Sequence, residues 1–218
     1  MEKNEISQRD MLTELGSAQP EGERGKIHCL TVIGQVEGHQ LLPEDSKSTK
    51  YEHIMPLLAA IEETPEIGAL LIMLNTVGGD VDAGLAIAEL IAGMTKPTAS
   101  LVLGGGHSIG VPLAVAARRS FIAPSAAMII HPVRLSGVVI GAPQTYNYFE
   151  QLQERIVGFI TGHCACPRDK LLEYMLRPDE LANDIGSVVS AQEAVSSGLI
   201  DGIGTLHDAL NYLHGEMS

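Results

Sequence analysis

Three apolar runs of strand length, one of them interrupted by Ser100, constrain the fold of this chain more than any other feature. They cover residues 69–74, 99–103 and 126–130, and helical patterns at about 82–94 and 109–118 separate them. Strands that are apolar on both faces are typical of a parallel sheet with helices packed against it. The sequence therefore predicts an α/β fold.

Weaker patterns extend this α/β unit in both directions. The further predicted elements are a first strand from His28 to Gly34, helices near 53–63, 144–162, 168–176 and 191–197, and a short strand at Val188-Val189. Residues 1–26 are rich in charged side chains and show little hydrophobic periodicity. We predict a flexible N-terminal arm over residues 1–26 and one domain over residues 27–218.

Charge and composition disfavour several functional classes. The net charge of −13 disfavours a nucleic-acid partner. No apolar run approaches the roughly 18 residues that a membrane span needs, and residues 1–16 lack the apolar stretch of a secretory signal. The 3 cysteines do not make a disulfide framework. We therefore expect a cytoplasmic protein with no membrane span.

Glycines and reactive side chains follow all three apolar runs. Gly78-Gly79 follow the first run, the segment 106–110 with Ser108 at its centre follows the second, and His131 follows the third. Active groups of parallel α/β proteins collect at these carboxyl ends of the strands. A Gly-x-Ser-x-Gly frame at a strand-to-helix turn exposes the serine oxygen for nucleophilic attack. A plain helix N-cap at Ser108 is the alternative.

A nucleophilic serine needs a base, and histidine is the usual one. Of the 8 histidines, His131 directly follows a buried-looking strand, whereas His107 is adjacent to Ser108 and is expected to point away from it. The candidates for the carboxylate that orients the imidazole are Asp179, Asp184 and Asp201.

The segment His163-Cys164-Ala165-Cys166 is a candidate metal site. Three ligands so close together, without a second cluster at tetrahedral spacing, make a poor zinc site. We expect no metal and no cofactor.

Four motifs, in this order, resemble the proteolytic subunit of the Clp protease family. They are Asn75–Gly84, Ser108–Gly110, Met128–Pro132 and Ser190–Asp201. The resemblance covers roughly residues 27–210, and the spacing between Gly79 and Ser108 also matches that of the family.

This resemblance implies a fold, a site and an activity. The implied fold is the Clp/crotonase fold, in which repeated ββα units form a superhelix, with the helix near 144–162 as a handle between rings. The implied site has Ser108 as nucleophile, His131 as base, Asp179 as the third triad member, and the N–H groups of Gly79 and Ile109 as the oxyanion hole. The implied activity is that of a serine-type endopeptidase, which cleaves peptides or unfolded proteins through an acyl-enzyme in a homo-oligomeric ring.

Several residues depart from the pattern of the family. Leu71 and Met73 replace two tyrosines of the unfoldase docking pocket, Pro132 replaces a glutamine after the catalytic histidine, and residues 134–143 replace a glycine-rich substrate-pairing strand. With these departures the chain resembles a Clp-related branch of translocation-enhancing proteins. This resemblance disfavours an ATP-dependent unfoldase as partner and implies a role in protein translocation or processing.

Three alternatives stay open at this point. An α/β-hydrolase-type esterase would use Ser108, Asp179 and His207 in that chain order. A non-catalytic assembly module would keep the Clp fold without a complete triad. A crotonase-type acyl-CoA enzyme shares the fold but does not need a serine paired with a histidine.

Overall fold

The computed structural model describes most of the chain. The described residues are 17–18, 21–22, 25–43, 45–134, 140–178 and 185–217. The elements of the first half are β1 (Ser17–Ala18), β2 (Glu21–Gly22), β3 (Gly25–Glu37), β4 (Ser48–Lys50), α1 (Tyr51–Glu63), β5 (Ile67–Gly79), α2 (Val81–Ala92) and β6 (Thr98–Gly106). Those of the second half are α3 (Gly110–Val115), β7 (Arg119–Ile122), β8 (Ala127–Ile130), α4 (Ala142–His163), α5 (Arg168–Leu176), β9 (Ser187–Ser190), α6 (Ala191–Ser196), β10 (Gly202–Ile203) and α7 (Leu206–Glu216).

The sheet is mostly parallel, as predicted. Its main path runs β1-β3-β5-β6-β7-β10, and β3, β5, β6, β7 and β10 are parallel along it. The short strand β8 leaves the main path after one pairing with the end of β6, and it then pairs antiparallel with β9. Strand β8 leads directly into His131, the predicted base.

Helices cover both faces of the sheet. On one face, Leu30, Leu74 and Val102 belong to the main core, which α1, α2 and α3 complete. On the other face, α7 packs Leu213 against a smaller cluster that includes Leu71. Burial on both faces explains why the central strands are continuously apolar.

The boundaries of several elements differ from the prediction. Strand β5 continues through Gly78-Gly79, beyond the end of the predicted apolar run at residue 74. Strand β7 is absent from the predicted elements because Arg119 and Ser120 interrupt its apolar pattern. Helix α7 is absent from them as well. The long helix predicted near 144–162 runs from Ala142 to His163.

The N-terminal segment contributes two short strands to the sheet. Ser17 pairs with Leu30, and Glu21 pairs with Lys26, both antiparallel to β3. The division into an arm over residues 1–26 and one domain over residues 27–218 stays a prediction, as does the role of α4 as a handle.

Stability is expected to fall with acidification because of His28, which is fully buried in β3. Burial lowers the pKa of His28 from 6.5 to about 4. Below pH 6.5 the unfolded chain takes up a proton that the folded chain rejects, so stability is lost as pH falls from about 6.5 to 4. Between pH 7 and pH 4.5 this loss is roughly 2 kcal/mol.

Urea unfolding at fixed protein concentration measures this loss. We expect the His28→Gln variant to show a smaller decrease in unfolding free energy between pH 7 and pH 4.5 than the wild type. An equal decrease in the two proteins would show that His28 is not responsible.

Candidate active site

Ser108 occupies a strained turn between β6 and α3. Its φ angle is 56°, and among the described residues it is the one non-glycine residue with a positive φ. Such a conformation costs free energy and is typical of a serine that a sharp strand-to-helix turn exposes. The turn is held by hydrogen bonds from the Ser108 N–H to Ile129 O (2.8 Å) and from the Gly110 N–H to His107 O (2.8 Å).

Gly78 lies directly against this serine. It has a φ of 94°, and a Cβ at Gly78 would lie 2.6 Å from the Ser108 Cβ and 3.2 Å from its Oγ. The Gly78 N–H donates to Thr76 Oγ1 (3.0 Å), and the Thr76 hydroxyl donates to Gly34 O (2.6 Å). Because the Gly78 N–H already has an acceptor, it is a poor candidate for the oxyanion hole.

Gly79 and Ile109 are the predicted oxyanion donors. A Cβ at Gly79 would lie 2.1 Å from Val36 O, so the close approach of β3 requires glycine there. Ile109 directly follows Ser108, and its N–H donates to no acceptor within the described part of the chain. An N–H without a partner at the start of a helix is free to bind an oxyanion. The role of both residues stays a prediction.

His131 directly follows β8, as predicted from the third apolar run. Its ring Nδ1 lies 2.7 Å from Pro132 O. Since a carbonyl oxygen only accepts, Nδ1 carries the proton and Nε2 is the basic nitrogen. Between these two described residues, no hydrogen bond joins the Ser108 Oγ to the His131 ring. The structure therefore brings the two strand ends together without closing the serine–histidine contact.

Two of the three candidate aspartates, Asp179 and Asp184, lie outside the described residues. The residues that flank this stretch lie beside the candidate base: the Gly186 N–H donates to Arg177 O (2.9 Å), and a Cβ at Gly186 would lie 2.9 Å from the His131 Cβ. The assignment of Asp179 as the third triad member stays a prediction.

Asp201, the third candidate, is occupied elsewhere. Its carboxylate accepts from the Ser120 N–H (2.8 Å) and from the Ser120 hydroxyl (3.0 Å). Ser120 pairs with Ser100 near the start of β6, whereas Ser108 follows the end of that strand. Asp201 therefore lies near the opposite ends of these strands from Ser108 and cannot orient His131.

His107, which was expected to point away from Ser108, contacts the strand that leads into His131. Its ring Nδ1 accepts a hydrogen bond from the Ile129 N–H (3.1 Å). Burial lowers the pKa of His107, and the charge of the neighbouring His131 lowers it further. The one sequence signal for this arrangement is the glycine run 104–106, which leaves room for the ring.

The remaining candidates do not join the site. His207 hydrogen-bonds Asn211 (2.8 Å) on the exposed side of α7, so the serine–acid–histidine order of an α/β-hydrolase finds no support here. Burial raises the pKa of the Cys164 thiol and raises that of Cys166 to about 11. Among the described residues, no group of three or more His, Cys, Asp or Glu side chains is arranged to hold a metal.

Comparison with known proteins identifies the family. The family model described as Clp protease matches residues 24–207, which is most of the chain. The chain belongs to the Clp protease family. The α/β architecture with its mostly parallel sheet is consistent with the predicted Clp/crotonase fold.

Individual relatives refine this assignment. The translocation-enhancing protein TepA of Halalkalibacterium halodurans is 55% identical over 205 residues, which cover 94% of this chain and 80% of that protein. An ATP-dependent Clp protease proteolytic subunit 1 of Chlamydia caviae is 29% identical over 140 residues, covering 62% of this chain and 69% of that protein. An ATP-dependent Clp protease proteolytic subunit of Leuconostoc citreum is 28% identical over 171 residues, covering 73% and 78%.

These values confirm the predicted resemblance to the translocation-enhancing branch of the Clp family. None of the described helices is both long and apolar enough to cross a membrane.

Proposed function

We propose that this Clp-family chain is a serine-type endopeptidase that cleaves peptides or unfolded proteins. The observation that carries the proposal is the left-handed turn at Ser108 (φ 56°), pinned to the strand that leads into His131. Backbone strain of this kind persists where the surrounding structure enforces it and is concentrated at functional sites. A serine that acted only as an N-cap would have extended backbone angles and no need for this strain.

In the proposed reaction, the Ser108 Oγ attacks the carbonyl carbon of the scissile bond while its proton passes to the His131 Nε2. The N–H groups of Gly79 and Ile109 bind the developing oxyanion. The protonated imidazole then gives its proton to the leaving amine, and the C–N bond breaks to leave an acyl-enzyme. A water molecule, deprotonated by His131, hydrolyses the ester and restores Ser108. Asp179 is the proposed third member of the triad.

We further propose a homo-oligomeric ring in the cytoplasm with a role in protein translocation or processing. The translocation role rests on the name of the TepA relative, and the ring rests on membership of the Clp family. An ATP-dependent unfoldase is a disfavoured partner, because Leu71 is fully buried and Met73 is partly buried in the cluster under α7. These are the positions where the family has its docking tyrosines.

Labelling with a fluorophosphonate probe tests the proposed nucleophile. We expect the wild-type protein to be labelled at Ser108, as located by mass spectrometry, and the Ser108→Ala variant to be unlabelled. The matched control is Ser125→Ala, which removes an exposed turn serine and should leave labelling unchanged. Labelling that survives in Ser108→Ala, or that is absent from the wild type in every assembly state, would overturn the proposal.

A non-catalytic assembly module is the second candidate function. It is favoured by the His131 ring, whose Nδ1–H donates to Pro132 O and to no carboxylate among the described residues, and by the open serine–histidine contact. This candidate predicts a ring-sized particle in analytical ultracentrifugation that does not react with the probe.

A further inference from the structure

The turn that carries Ser108, here called the nucleophile turn, also carries His107. The ring of His107 contacts β8, the strand that leads into His131. Strand β8 pairs with β6 at one position, Gly105 with Ala127. Beyond that position the β6 backbone ends and turns towards Ser108. The ring of His107 there takes the place of a strand partner, since its Nδ1 accepts from the Ile129 N–H (3.1 Å).

Both backbone polar groups of Ile129 therefore bind the nucleophile turn. Its N–H donates to the His107 ring, and its carbonyl accepts from the Ser108 N–H (2.8 Å). The His107 N–H in turn donates to Thr76 O (3.1 Å), two residues before Gly78. His107 thus links the end of β5 near Gly78, the serine turn after β6 and the end of β8.

Gly105 makes room for this ring. A Cβ at Gly105 would lie 2.5 Å from the His107 Nε2, so a larger residue there would require the ring to move. Because Nδ1 accepts, the proton of the neutral ring is on Nε2. Burial and the neighbouring charge of His131 both lower the pKa of His107, which keeps Nδ1 available as an acceptor at neutral pH.

We infer that His107 is a positioning residue, whose ring fixes Ile129 and thereby sets His131 relative to Ser108. This inference rests on the proposed peptidase function, because positioning matters only if Ser108 and His131 react together. His107 is not itself the base, since its Nδ1 is occupied by the Ile129 N–H. A displacement of about 1 Å between reacting groups costs about 10²-fold in rate.

Three substitutions in the full-length protein separate positioning from a general structural role. His107→Ala removes the acceptor. His107→Asn keeps it, because the asparagine Oδ1 is bonded to Cγ as the histidine Nδ1 is. His107→Gln is the matched control, with the same amide group one bond too far. The measurements are the second-order rate of fluorophosphonate labelling at Ser108 and the hydrogen-exchange protection of the Ile129 amide.

We expect His107→Ala and His107→Gln to lower the labelling rate about 10²-fold and to lose Ile129 protection, and His107→Asn to recover most of both. Wild-type labelling by His107→Ala, or slow labelling by His107→Asn despite restored protection, would overturn the inference. If the wild type is not labelled at all, the proposed function fails by itself. Ile129 protection that does not depend on His107 would then overturn the positioning contact independently.

Discussion

Replacing His131 with alanine is expected to lower the rate of probe labelling at Ser108 by about 10²- to 10⁴-fold. The imidazole supplies the base that removes the hydroxyl proton, and its Nε2 is the free nitrogen because Nδ1–H donates to Pro132 O. Without it, the neutral hydroxyl must attack the probe with water as the proton acceptor. The measurement is the second-order labelling rate at pH 7, together with circular dichroism to show that the variant is folded.

His207→Ala is the control for this prediction. The His207 ring lies on the exposed side of α7 and contacts Asn211, so its loss should leave the labelling rate within experimental error. The opposite pair of results would be labelling retained in His131→Ala and lost in His207→Ala. That outcome would support the serine–acid–histidine order of an α/β-hydrolase and contradict the proposed triad.

The parallel core of this fold could be predicted because its strands are buried on both faces. Burial on both faces favours apolar residues at consecutive positions, as in 69–74, and this signal does not depend on register. Strand β7 was not predicted because it contains a buried polar residue, Ser120. The N–H and hydroxyl of Ser120 donate to the carboxylate of Asp201, which lies in a distant part of the chain. A polar residue with a long-range partner looks like a turn residue in the sequence.

The site divides in the same way into local and long-range features. The glycine frame around Ser108 is local, since the strained turn is encoded by adjacent residues. The choice among the aspartates is not local, because it depends on which strand edge each carboxylate reaches. Asp201 could be removed from the list only by its contact with Ser120. His107 illustrates the same limit, because its acceptor role depends on Ile129, which lies on another strand.

Replacing Gly79 with alanine is expected to destabilise the protein by about 3 kcal/mol and to abolish most of the labelling at Ser108. The Gly79 φ of 153° is costly for a residue with a Cβ, and that Cβ would lie 2.1 Å from Val36 O and 2.7 Å from Val36 N. These are backbone atoms of β3, so the strands must separate to admit the methyl group. Urea unfolding measures the first effect and fluorophosphonate labelling the second.

Gly158→Ala in α4 is the matched control, because among the described residues nothing beyond the adjoining backbone of α4 lies within 4 Å of the Cβ that it adds. Alanine is the better helix former, so this variant should gain roughly 0.5–1 kcal/mol and keep the wild-type labelling rate. Alanine at Gly79 retains the backbone N–H that is proposed to bind the oxyanion. A loss of labelling there, at a urea concentration where the variant is still folded, would therefore report the displacement of that N–H from Ser108. A folded Gly79→Ala variant that labels at the wild-type rate would show that the close approach of β3 to Gly79 is not needed for the reaction of Ser108.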